Sequence, residues 1–64
     1  MKPATARRLV ELIRQGNTNR EISEITGFTR ATVKSYIAIL AADVGAKSRG
    51  QLVYLSDQRG LVRP

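Results

Sequence analysis

Between Gly16 and Gly45 the chain is punctuated as a run of short helices, and this pattern limits the folds open to it more than any other feature. Thr18-Asn19-Arg20-Glu21 is an S/T-x-x-E capping box, in which the hydroxyl and the carboxylate each satisfy an otherwise free amide at a helix start. Gly16, just before it, suits the left-handed end of a preceding helix. Gly27 stops the helix that Thr18 opens, and Thr29 caps the next. Gly45 is followed by Ser48-Arg49-Gly50-Gln51, which reads as a second capping box. These signals predict an all-α chain of four helices, over residues 4–15, Asn19–Thr26, Arg30–Val44 and 49–56.

The apolar positions agree with that division. In the first helix Ala6, Leu9, Leu12 and Ile13 form one stripe, with Arg7, Glu11 and Arg14 opposite, where Glu11 can pair with either arginine. In the second, Ile22 and Ile25 are expected inward, and Phe28 in the following turn is expected to plug the core. In the third, at 100° per residue, Val33, Ile37, Leu40 and Val44 fall within about 60° of one another and make a core stripe. The opposite face holds Ala31, Lys34, Ser35, Ala38 and Ala42, small or cationic residues suited to close approach to a large charged surface. Leu52 and Leu55 can face the core from the fourth helix. Val53 and Tyr54 then point elsewhere, which suggests a seam for a second copy. Residues 57–64, with Gly, Pro and two Arg, read as a loose tail after a domain spanning 1–56.

Sixty-four residues hold one domain, and domains of this size are marginally stable. The chain has neither cysteine nor histidine, so disulfides and Cys/His metal sites are excluded as supports. Eleven basic residues against five acidic ones give a net charge of +6, which favours a polyanionic partner. No apolar run approaches the roughly 20 residues of a membrane span. The opening Met1-Lys2-Pro3-Ala4-Thr5 lacks the apolar stretch of a signal peptide, so a cytoplasmic protein is expected. The five carboxylates are scattered, and no Gly-rich phosphate loop occurs. An enzyme, a cofactor and a small-molecule ligand are therefore not expected.

Two short helices joined through Gly27-Phe28-Thr29, with a small-residue outer face on the second, describe a helix-turn-helix. In such units the second helix enters the major groove of double-stranded DNA while the first crosses the backbone. The motifs carry a resemblance as well. Gln15-Gly16-Asn17-Thr18-Asn19-Arg20-Glu21-Ile22 resembles the "QG-x-S-N-K-E-I" signature of the LuxR/GerE-type helix-turn-helix family, Thr32-Val33-Lys34 its "TVK", and Gly45-Ala46-Lys47-Ser48-Arg49 its "G-V-x-S-R". The similarity runs from about Leu9 to Leu55. It implies a four-helix bacterial DNA-binding domain, found at the nucleoid when bound, whose third helix reads DNA and whose fourth pairs two monomers. The chain departs from the family at its start, where Lys2-Pro3-Ala4-Thr5-Ala6 replaces "L-T-x-R-E", and it has Tyr36 and Asp43 where the family usually has His and Lys.

By position the resemblance implies base contacts from Lys34, Ser35 and Ala38, residues that the face analysis selects independently, and Arg30 and Ala31 beside them are also expected to contact bases. Lys34 can donate to guanine, Ser35 to either partner, and Ala38 can touch a thymine methyl. Thr18, Asn19, Arg20, Thr29 and Thr32 are expected on phosphates, which fix register rather than sequence. Lys47 and Arg49 are weaker candidates of that kind. Tyr36 either packs at the core edge or offers its hydroxyl to a phosphate. Thr18, Glu21 and Thr29 are helix caps first, and Arg7, Arg8 and Arg14 read as a solvated face. Val53 and Tyr54 are the expected homodimer contacts.

Three readings follow. The first is a sequence-specific transcriptional regulator binding as a homodimer to two half-sites. The second is a repeat-binding protein of plasmid or phage type, serving partition, copy control or recombination, or the DNA-binding fragment of a longer regulator. The third, from another class, is a protein–protein interaction module docking through Val53, Tyr54 and Ile39; the small-residue face of the third helix argues against it, since docking helices present large apolar anchors.

Overall fold

The structure, a computed structural model, describes residues 1–58. The helices are α1 (Pro3–Arg14), α2 (Asn19–Thr26), α3 (Arg30–Val44) and α4 (Arg49–Gln58). The expected bounds of α2 and α3 hold to the residue, and their ends show why. Thr18 Oγ1 accepts from the Glu21 amide at 3.2 Å, and the Glu21 carboxylate accepts from the Thr18 amide at 2.8 Å. Thr29 Oγ1 accepts from the Thr32 amide at 3.1 Å. At its other end α2 stops on Gly27, whose φ of 81° brings its amide to the Ser23 carbonyl at 2.9 Å. Nothing lies within 4 Å of a Cβ placed there, so backbone conformation, not space, is what calls for glycine.

The ends of α1 and α3 are closed by the paired bonds of a Schellman motif. After α1, Gly16 bonds to the Ile13 carbonyl and Asn17 to that of Leu12; after α3, Gly45 bonds to Ala42 and Ala46 to Ala41. Pro3 sits at the start of α1, where a missing amide costs nothing.

One core gathers the apolar faces of all four helices. Leu9, Val10, Ile22, Val33 and Leu52 are fully buried, with Ala6, Leu12, Ile13, Leu40 and Val44 around them. Phe28, Ile37, Val53 and Leu55 are half-buried against this cluster. α1 packs mainly on α4, and α2 mainly on α3, while α4 also rests on α3. Among the described residues no helix is long and apolar enough to cross a membrane.

Four expectations need correction. Ile25 is not in the core but 48% exposed. The inward side of α2 runs through Ile22, Ser23 and Thr26, and Thr26 closes it by donating to the Ile22 carbonyl at 2.7 Å. Ile25 falls outside that face. The second capping box forms by half. Gln51 donates its amide to Ser48 Oγ at 3.1 Å, but its side chain accepts from the amide of Lys47 at 2.8 Å, because the chain bends at Lys47 and Ser48. Val53 does not point away: it packs on the core beside Ile13, whereas Tyr54 is 62% exposed. Finally, α4 continues past residue 56 to Gln58, so residues 57 and 58 of the expected tail are helical, and 59–64 lie outside the described residues.

The end of α4 meets the end of α1. Arg14 is an ion-pair partner of Asp57 and also of Glu11, the latter at 3.2 Å, so the end of α4 is clasped to the end of α1. Glu11 thus takes Arg14, not Arg7, as its partner. One residue before Asp57, Ser56 is fully buried, and its hydroxyl has no hydrogen-bond partner among the described residues.

Candidate nucleic-acid interface

The two helices of the motif are joined by a turn with little freedom. Ser23 Oγ donates to the Phe28 carbonyl, and the Phe28 amide donates to Thr26 Oγ1 at 3.2 Å. The Phe28 ring meets that of Tyr36 edge-on, with centroids 5.5 Å apart and planes at 83°. The turn is therefore pinned from α2 by hydroxyls and from α3 by an aromatic contact.

Arg30, Ala31, Lys34, Ser35 and Ala38 are all exposed, and helical spacing sets them within about 140° of one another on the side of α3 away from the core. Ala42 continues the strip. No acidic residue occurs from Arg30 to Ala42, so nothing on this face repels a polyanion. Tyr36 does not share it. It lies beside the core stripe, half-buried, with Phe28, Thr5, Met1 and Lys2 around the same groove. Its ring packs at the core edge against Phe28.

The expected phosphate-facing residues divide by what they already hold. Thr18 is engaged with Glu21, and that carboxyl titrates below the usual range, first through the bond from the Thr18 amide and then through that from the Thr18 hydroxyl. Thr29 donates its hydroxyl to Thr32 Oγ1 at 2.9 Å, and Thr32, as acceptor, keeps its own proton to donate. Arg20 lies 3.8 Å from Glu24, with both side chains well exposed, an arrangement worth little in water. Among the described residues no carboxylate holds Arg30, Lys34, Lys47 or Arg49 in an ion pair. Their charge is uncompensated, Arg30 and Lys34 on α3 and Lys47 and Arg49 around the start of α4.

One arrangement has no sequence signal. Arg49 Nη1 donates to Asn19 Oδ1 at 2.6 Å and Nη2 to the Asn17 carbonyl at 2.8 Å, joining the start of α4 to the start of α2 across a separation of 30 residues. Local spacing says nothing about such a pair. No cluster of His, Cys, Asp or Glu suited to a metal ion occurs among the described residues.

An exposed, acid-free helix face on a capped helix-turn-helix is the geometry of a DNA reader, and the family comparison agrees. The profile described as "Bacterial regulatory proteins, luxR family" (GerE) matches residues 5–56. The chain belongs to the LuxR family. The match spans all of α2 and α3 and most of α1 and α4. Membership makes this a DNA-binding domain of the regulatory, non-enzymatic kind. No curated protein and no solved structure matches the chain at a significant level.

Proposed function

We propose that this LuxR-family domain is a sequence-specific transcriptional regulator that lays α3 in the major groove of double-stranded DNA. The observation that carries the reading is the outer face of α3, with Arg30, Ala31, Lys34, Ser35 and Ala38 exposed and no acid among them. Lys34 and Arg30 donate to guanine edges, Ser35 to an adjacent base, and Ala31 and Ala38 let the helix approach thymine methyls. Asn19, Arg20, Thr29, Thr32 and Lys47 line up on phosphates, while Thr18 acts chiefly as the cap that orders them. Two copies pair through α4, where Tyr54 is the exposed aromatic. Val53 contributes less, because it already packs on its own core.

Selection of bound duplexes from a randomised pool, at low and then moderate salt, tests this. An inverted repeat is the expected product, with half-site centres about one helical turn apart. Direct repeats would point to a repeat-coating protein. Loss of all enrichment as salt rises would leave only phosphate attraction and remove the sequence-reading claim.

A further inference from the structure

Asn19 and Arg49 are both expected on phosphates from their sequence positions, yet they are bonded to one another. A guanidinium only donates, so the atom of the Asn19 amide turned toward it must be the oxygen. The Nδ2 group is then forced to the other side, and it donates to nothing among the described residues. The second arm of Arg49 is fixed by the Asn17 carbonyl, and the Asn17 side chain in turn donates to the Leu12 carbonyl at 2.9 Å. A single side chain thus links the ends of α1, α2 and α4. The broad contacts of α4 are with α1 and α3, and Arg49 is its polar tie to α2.

We propose that Arg49 is a positioning residue for DNA binding: from α4 it fixes the Asn19 amide with its NH2 outward, ready to donate to a phosphate oxygen. This deepens the DNA-binding reading and rests on it. It also reassigns Arg49, whose sequence position suggests a phosphate contact of its own. The bidentate fork is what the task needs, since two acceptors on different segments must be held at one angle. Lysine keeps the charge but lacks the fork.

The test is the affinity of the full chain for a mixed-sequence duplex across a salt series, because phosphate contacts do not depend on sequence. Arg49→Lys is expected to bind about tenfold more weakly with the salt slope of the wild type, since no charge is lost. Asn19→Ala is expected to lose about as much, and the double variant no more than either alone. Asn19→Asp keeps an oxygen for Arg49 and suits a helix start, so it should melt no lower than wild type while binding more than about tenfold more weakly. Wild-type affinity in Arg49→Lys or Asn19→Asp, or losses that multiply in the double variant, would overturn the assignment alone. A wild-type chain that does not bind the duplex at all would overturn the DNA reading and this assignment with it.

Discussion

The α2–turn–α3 unit and α4 are built by different means. In the first, the side-chain bonds that set the helix ends and the turn span five residues or fewer, as in Thr18–Glu21, Thr29–Thr32, Thr26–Ile22 and Ser23–Phe28. α4 has the local Ser48 cap, but it is placed by distant partners: Arg14 reaches Asp57 across 43 residues and Arg49 reaches Asn17 across 32. The helix-turn-helix is written locally and the part that braces it is written in tertiary contacts. Local order is not the same as independence, however. α2 has eight residues, too few to hold as a helix alone, and its one fully buried side chain, Ile22, needs the shared core.

The largest expected effect tests that dependence. Leu52→Ala removes a fully buried side chain from α4 and should cost about 2–5 kcal/mol, a large share of what a domain of this size has. If the account is right, a urea melt followed by far-ultraviolet circular dichroism shows one earlier transition, with no residual helix from α2–α3. A surviving plateau of helix would mean that the motif stands without its brace.

Next in size is a change confined to function. Lys34→Ala on the exposed face of α3 should weaken binding to the selected duplex by about 1–3 kcal/mol while leaving the melting temperature within error. Equal affinity for wild-type and variant chains would remove Lys34 from the interface.

Gly27→Ala probes the turn itself. Since nothing crowds the missing Cβ, the expected loss of about 1–2 kcal/mol is strain at positive φ and nothing else. Asparagine, which tolerates that conformation better, should recover part of it in the same thermal melt.

The smallest effect concerns acid. The Glu21 carboxyl has its pKa lowered by the folded capping box, so the stability it contributes is complete above the ordinary carboxylate range and is lost as pH falls through the folded value. Carboxyl titration followed by nuclear magnetic resonance should place Glu21 below the ordinary glutamate value, and Thr18→Ala should bring it back toward that value.

The contrast also explains what the sequence discloses. Caps, stops and helical periodicity are local signals, and they locate α2 and α3 to the residue and pick out the face bearing Lys34, Ser35 and Ala38. Periodicity alone misplaces Ile25, because which side of a two-turn helix faces inward is settled by the neighbours it meets. Val53 is misjudged for the same reason: α1 supplies the surface that covers it. The Arg49–Asn19 bond and the Arg14–Asp57 clasp join segments whose nearness exists only once the chain has folded.

The alanines on the outer face of α3 set up one more consequence. Ala31, Ala38 and Ala42 touch no core residue closely enough to be covered, and they sit in a helix whose ends are fixed by Thr29 and the Gly45 turn. Replacing them with arginine or glutamine changes no core packing and little helix propensity. On the proposed reading, the specificity of this domain is therefore detachable from its architecture: a new operator can be inscribed at these positions without asking the rest of the molecule to move.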